Sequence, residues 1–322
     1  MRKTVAALAA LFATSWIGMA AAQTWQDKPI SILIPAPPGG GTDIVARLFA
    51  EPLSREIGRQ ILIDNKGGGN GNIATLAAAR AKPDGHTLLM QYSGTHVANP
   101  ALIPDLNWHP VKDFAPVAMA AMAPHLITIA KKLPPTDLKS FIAYAKANPG
   151  KLNAATVGPG SIPHIGAVML NKAAGLDLTA VHYKGSGPAS QDLLAGQIEV
   201  FVVTPPSIAA HVRSGAIKGL ALASGKRLPS FPDVPTTEEA GLPGFTLEAW
   251  FALFAPAGTP KELVDKLNAA MRKVATSPEM KAKLADLGLF GQDWSSAEFG
   301  TFVAKEVDFW GKTIRDAGIK LE

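Results

Sequence analysis

"ISILIPAPPGGGTDIVARLFAEPL", Ile30 to Leu53, decides the fold. Its β-branched opening, Ile30–Pro35, reads as a strand closed by proline. From Asp43 to Gly58, Ile44, Val45, Leu48, Phe49 and Ile57 recur near one stripe, which is the pattern of a helix. Pro52 lies inside that pattern and is expected to kink or divide it. Between strand and helix, Pro37 and Pro38 fix φ and withhold two backbone donors, which stiffens the loop. Gly39, Gly40 and Gly41 carry no side chain, so their N–H groups can approach a ligand closely. Thr42 or Asp43 is a good N-cap. In an open α/β sheet such a loop lies at the carboxyl end of its strand, where ligands bind. A helix N-terminus with bare amides is an anion site. Asp43 would repel an anion, so it is read as a structural brace whose carboxylate turns inward to cap the loop. A tight turn with no ligand is the competing reading.

The alternation continues outward. "ILID" (Ile61–Asp64) and "LLMQY" (Leu88–Tyr92) read as strands around a helix at Asn72–Ala81. A second set follows: strands at Leu152–Gly158, Thr179–Gly185, "IEVFVVT" and "IKGLALAS", with helices at Pro163–Ala174, Ala189–Ala195 and Ser207–Arg213. Strand–helix alternation argues for parallel sheets with helices on their faces. Two extended segments, Phe114–Ala130 and Phe245–Ala257, bracket the second set. Each is longer than an ordinary strand of about 5–6 residues. The economical reading is a pair of strands crossing between domains as a hinge. Helices at Pro260–Thr276, Pro278–Leu287 and Ala297–Ala317 then return to the first domain. The expected architecture is α/β, with two domains whose two sheets are joined by a two-strand hinge. The first domain comprises residues 23–122 and 252–322, and the second 123–251.

Residues 1–22 read as a signal peptide. Arg2 and Lys3 form its charged start, Val5–Ile17 its apolar run, and Ala20-Ala21-Ala22 a cleavage site before Gln23. The expectation is a periplasmic protein cleaved after Ala22. Loss of Arg2 and Lys3 lowers the formal charge from +5 to +3. The basic residues are scattered, so no nucleic-acid partner is expected. The chain of 322 residues is 47% hydrophobic, enough for a sizeable core, and has no cysteine. That excludes thiol catalysis and thiolate metal sites.

Tests for catalytic and cofactor motifs fail. "GGGNGN" (Gly67–Asn72) follows a strand and opens a helix, but Asn72 stands at the third glycine position of a dinucleotide fingerprint. There is no P-loop lysine after Gly39–Gly41 and no serine in a nucleophile elbow. The seven histidines (His86, His96, His109, His125, His164, His182 and His211) are all more than four residues apart. No metal, no cofactor and no enzymatic activity are therefore expected.

The second domain offers a loop like the first. "VGPGSIPHIG" (Val157–Gly166) runs through Gly158, Gly160 and Ser161 into a helix with Pro163 in its first turn. "QYSGTHVANP" (Gln91–Pro100) lies at another strand end and carries Ser93, Thr95 and His96 as donors. Thr204 and Ser207 flank Pro205-Pro206 at a further one. His96 and His164 are each read either as donors to a carboxylate or as capping residues. Tyr183 is read as structural, Lys184 as a solvated charge, and Trp250 as core. Two anion loops separated by a hinge describe a cleft that closes on an anionic ligand.

These residues resemble a known family. "KPISILIPAPPGGGTDIVAR", "NGNIATLAAARAKPDGHTLLM", "NPGKLNAATVGPGSIPH", "VHYKGSGPASQDLLAGQIE", "KRLPSFPDVPTTEEAGLPGF" and "FAPAGTPKELVDKLN" match, in order and spacing, the Bug-type substrate-binding proteins of tripartite tricarboxylate transport systems. The resemblance runs from the cleavage site to the C-terminus. It implies an α/β, two-domain periplasmic binding-protein fold (type II-like) that captures a carboxylated solute outside the cytoplasm, as a monomer, for the subunits of a membrane transporter. It also implies that the loops Pro37–Asp43, which includes Pro38, and Gly158–His164 hold one carboxylate, with Ser93, Thr95 and His96 near the ligand and Ala36 beside the first loop. Ala36 stands where the family usually has phenylalanine, and "VVTPPS" (Val202–Ser207) lacks the usual acidic or amide partner for an ammonium. Both departures point to a bulkier, amine-free acid, with an aromatic dicarboxylate such as terephthalate as the expectation. Two alternatives stay open: a ligand-presenting subunit for a membrane sensor, and a periplasmic hydrolase using Ser161 with His96 or His164.

Overall fold

The computed structural model describes residues 28–319; the signal-peptide reading and its cleavage point fall outside the described residues. The chain opens with β1 (Ile30–Ile34), α1 (Gly41–Ile57), β2 (Ile61–Asn65), α2 (Asn72–Ala79) and β3 (Thr87–Tyr92). A π-helical turn, Gly94–Ala98, and the one-turn α3 (Asn99–Leu102) follow where a loop was expected. Next come β4 (Phe114–Pro124), β5 (Leu126–Ala130), α4 (Leu138–Lys146), β6 (Asn153–Thr156), α5 (Ile162–Ala174), β7 (Thr179–His182), α6 (Ser186–Ala195) and β8 (Val200–Val203). The chain ends with α7 (Ala209–Arg213), β9 (Ile217–Leu222), β10 (Glu248–Pro256), α8 (Lys261–Thr276), α9 (Pro278–Asp286) and α10 (Ser296–Ala317).

Two local outcomes differ from the sequence reading. Helix α1 runs unbroken through Pro52 to a left-handed Gly58. Proline deletes one intrahelical donor, and the stripe Val45, Ala46, Phe49 and Leu53, fully packed on the sheet, holds the helix together regardless. Helix α4 was not foreseen. Asp137 starts it with a capping box, accepting from Ser140 N at 2.7 Å while Ser140 Oγ accepts from Asp137 N at 3.2 Å.

The strands form two five-stranded sheets, β2-β1-β3-β10-β4 and β7-β6-β8-β5-β9. Both are mixed. Three parallel strands lie at one side of each, and the fourth, β10 or β5, pairs antiparallel. The antiparallel neighbour is in each case a strand that crosses from the other lobe, so no helical crossover sets its direction. Ile30, Ile32 and Ile34 pack against α1 and α8, and Leu33 faces the opposite side with Ala74 and Ala78 of α2. Phe201 and Val203 meet Ala189 and Leu193 of α6, while Val200 and Val202 meet α5. One cluster runs through both lobes by way of Trp250, Phe254 and Phe299.

Sheet membership changes at His125 and again at Leu247. Glu248 still pairs with Pro124 in the first sheet, while Leu126 already pairs in the second. His125 N donates to Leu247 O at 2.8 Å, Leu247 N to Ala223 O at 2.9 Å, and Ala223 N to His125 O at 2.8 Å. The fully buried His125 ring adds Nδ1 to Leu247 O at 3.1 Å, so Nδ1 carries the proton and Nε2 accepts from the Tyr92 hydroxyl at 3.2 Å.

His96 is core, not ligand contact. The π-helical turn rotates its ring inward, where it stacks on Phe254 (ring centroids 4.2 Å) among Trp108, Phe114 and Trp250. Nε2 donates to Pro110 O at 2.9 Å. Burial lowers the pKa of His96 to about 3 and of His125 to about 4, against the opposing pull of their carbonyl bonds. Both rings are therefore neutral when folded. Below about pH 6.5 the unfolded chain binds protons that the folded chain refuses, so stability should fall as pH drops from there toward 4. Urea denaturation across that range measures the slope, and His96→Phe, which suits the aromatic cage, should flatten it. An unchanged slope would show that these rings do not set it.

Candidate functional site

A cavity of about 700 Å³ lies between the sheets, at the carboxyl ends of β1, β3, β6, β7 and β8. It is closed by two contacts between lobes. At one, Gly41 N donates to Ser186 Oγ at 3.3 Å, and a Cβ on Gly185 would lie 2.7 Å from Pro37 Cγ. Gly185 also has φ 139°, so glycine is required there for shape and for space. At the other, Asn70 Nδ2 donates to Pro159 O at 3.2 Å. Asn70 itself sits at φ 53°, held by Nδ2 to Asn99 Oδ1 at 2.8 Å.

Four helices begin at this cavity. The first or capping residues of α1 (Gly41), α2 (Gly71), α5 (Ser161) and α6 (Gly185, Ser186) all line it. Each start carries N–H groups without intrahelical acceptors and the positive end of a helix dipole. No Asp or Glu lines the cavity among the described residues; Lys184 is the one formally charged residue in its wall.

Of the residues expected from sequence, the structure brings Ala36, Gly41, Thr42, Thr95, Gly158, Ser161 and Thr204 to the wall. Pro38, Gly39, Gly40, Ser93, His96, Gly160, His164 and Ser207 do not line it, and Pro38 and Gly39 are exposed. Ser93 Oγ accepts from Trp250 N at 3.3 Å. Gly160 N donates to His164 Nδ1 at 2.9 Å, so His164 braces its own loop. Ser207 Oγ donates to Thr204 O at 3.4 Å.

Several expected donors are spent inside the protein. Ser161 Oγ donates to Gly158 O at 2.7 Å and accepts from His164 N at 3.3 Å, as the N-cap of α5. Thr95 Oγ1 donates to Asn70 O at 3.3 Å. Ser161 and His96 form no dyad, because the Ser161 hydroxyl donates to a backbone oxygen and His96 lies in the aromatic core, while His164 Nδ1 is taken by Gly160 N. The hydroxyls of Thr42 and Thr204, 6% and 5% exposed, have no partner among the described residues. Ser186 accepts from Gly41 and keeps its proton to give. The available donors thus gather where α1 faces α6.

Asp43 is turned away from the cavity and is 3% exposed. Its carboxylate accepts from Gly39 N at 2.9 Å, Arg47 Nε at 2.9 Å and Asn65 Nδ2 at 3.0 Å. Asn65 Nδ2 also reaches Ala36 O at 3.0 Å. Burial alone would raise the Asp43 pKa. The bonds from Arg47, Gly39 and Asn65 outweigh it and hold the carboxyl below its usual value.

Sequence reasoning missed Asn70, Ser186, Tyr92 and Phe251. A strand-end glycine cluster and the "KGS" following β7 carried a signal for the first two. Tyr92 and Phe251 sit at ring centroids 5.5 Å apart in the wall. Nothing in sequence tells which face of a crossing strand meets a cleft. Tyr183 lines the cavity, yet its hydroxyl donates to Asp192 Oδ2 at 2.8 Å, which keeps it structural.

A family model described as "Tripartite tricarboxylate transporter family receptor" matches residues 45–319. Protein BugT of Bordetella pertussis is 32% identical over 324 residues, covering 100% of this chain and 99% of BugT. Among solved structures, Rpa4515 of R. palustris with adipate is 33% identical with a TM-score of 0.89, over 92% of this chain and 99% of that one. MatC of Rhodopseudomonas palustris with bound malate is 37% identical with a TM-score of 0.84, over 89% and 99%.

The Asp43 brace makes a direct prediction. Asp43→Ala leaves the Gly39 N–H and Arg47 Nε without their acceptor and should cost about 1–3 kcal/mol of stability by urea denaturation. In the wild type this contribution is present above the ordinary Asp pKa of about 3.9 and is lost on acidification below it. A variant as stable as wild type at pH 7 would remove the brace from the account of this loop.

Proposed function

The chain belongs to the tripartite tricarboxylate transporter receptor family, and from that premise we propose that it captures a small carboxylate between its lobes and delivers it to a tripartite tricarboxylate-type membrane transporter. It acts in the periplasm as a monomer, after cleavage behind Ala22. We place the hinge at His125 and Leu247, between lobes expected from the sequence at 23–122 with 252–322 and at 123–251.

One observation carries this reading: four helix N-termini and the free hydroxyls of Thr42, Thr204 and Ser186 face one cavity that no carboxylate side chain lines among the described residues. A carboxylate supplies what those donors lack. Neutral hydroxyls and amides hold it, without arginine. The adipate and malate held by the two R. palustris relatives support the same ligand class. The finer reading is a flat aromatic dicarboxylate such as terephthalate. Tyr92, Phe251 and Val203 give the cavity an apolar wall, and Ala36 contributes only one methyl to it. No acidic group waits for an ammonium.

Titration calorimetry with malate, adipate, terephthalate and benzoate tests both levels. Terephthalate is expected to bind at roughly micromolar affinity, about −8 kcal/mol, and to be recovered unchanged. Thr204→Val should weaken it by about 1.5–3 kcal/mol, the range for a hydrogen bond to a charged group. Absence of binding by every acid, or conversion of any of them, would overturn the proposal.

Ala36→Phe tests the shape argument separately. Refilling the cavity should cost terephthalate about 1–3 kcal/mol by overpacking and malate much less. Equal losses for both acids, or none for either, would reject Ala36 as the source of selectivity.

A further inference from the structure

The deep wall and the rim of the cavity differ in kind. Thr42 and Thr204 are almost wholly buried and uncharged, whereas Lys184 is exposed at the edge. Lys184 has no hydrogen bond or ion pair among the described residues, and no Asp, Glu or Arg lines the cavity with it. It sits between the end of β7 and Gly185, the residue that abuts Pro37 of the other lobe. Its place relative to the first lobe is therefore fixed by closure. A neighbouring rim residue is equally set. His182 Nδ1 is 2.5 Å from Thr156 Oγ1 and its ring meets that of His164 edge-on, which anchors it.

We propose that Lys184 is a specificity-determining residue that receives the ligand's second carboxylate at the rim, and so selects dianions over monoanions. The inference rests on the carboxylate reading of the deeper site and adds to it. A ligand whose first carboxylate occupies the buried hydroxyls presents its far end toward solvent. A monoanion needs nothing there. A dianion brings a second charge into a narrowed cleft, where water is partly displaced and an opposite charge counts for more than on open surface. Lys184 is the one formal charge placed to meet it. A cation at the rim keeps its hydration while the cleft is empty, which avoids the penalty of burying an unpaired ammonium.

The test compares matched acids on the full mature protein: terephthalate with benzoate, and adipate with hexanoate. Affinities are measured by calorimetry at low salt and at about 0.5 M NaCl, where charges are screened within about 4–5 Å. Lys184→Gln should weaken the dicarboxylates about tenfold at low salt and leave the monocarboxylates within about twofold. Lys184→Arg should retain most of the dicarboxylate affinity. Salt should weaken dicarboxylate binding more in wild type than in Lys184→Gln. Equal losses for both members of a pair would assign Lys184 a structural role and overturn the proposal, as would no loss for either dicarboxylate. If wild type binds none of the four acids, the carboxylate reading itself falls and takes this inference with it.

Discussion

The first turn of a helix has N–H groups that nothing in the helix can satisfy, and here four such turns meet at one cavity. Buried donors must find acceptors. The protein settles part of the demand internally. Ser161 caps α5, and Gly41 N reaches Ser186 across the cleft. What is left over faces the cavity, together with hydroxyls that have nothing to donate to. A nearby Asp could have silenced the site, and one does lie in the first turn of α1. Its carboxylate points the other way, into Gly39, Arg47 and Asn65, and shapes the loop instead of filling it. The proposal of an anionic ligand rests on that arrangement.

Much of this was legible in the chain. Strand and helix periods, proline and glycine punctuation and two over-long extended segments were enough for two α/β lobes joined by crossing strands. The glycine loops at strand ends marked where the cavity would be. Hydrogen-bond choice was not legible, because it is settled by tertiary neighbours. Ser161 reads as a donor to ligand but spends its proton on Gly158 O. His96 reads as a loop donor, yet a π-helical turn puts its ring on Phe254. Lys184 reads as solvated charge, and it is exposed, but at the cavity wall. The α4 capping box was present in Asp137 and Ser140 and was overlooked.

The crossing is anchored on the first lobe. Glu306 of α10 accepts from the indole N–H groups of Trp250, in β10, and of Trp310 at 3.1 and 3.2 Å. Burial raises the pKa of that carboxyl against the pull of the two indoles. A carboxylate removed from water this way tolerates displacement poorly, since it must keep both partners. The returning strand is thereby tied to the C-terminal helix, and the proposed hinge stays with the short segments at His125 and Leu247, where the sheets change.

Tyr92 joins this hinge to the cavity. Its ring lines the wall beside Phe251, while its hydroxyl is committed to His125 Nε2. The assignment of protons leaves no freedom: Nδ1 of His125 faces a carbonyl oxygen, so Nε2 must be the acceptor and Tyr92 the donor. The phenol proton is unavailable to a ligand carboxylate. Burial also drives the Tyr92 pKa far upward, so the hydroxyl stays protonated and the bond to His125 persists at any pH where that ring is neutral. Toward the cleft, tyrosine thus behaves as an apolar ring. The bond to His125 at the sheet crossing thus sets the chemistry of the wall: what Tyr92 offers the cavity is the face of its ring, not its oxygen.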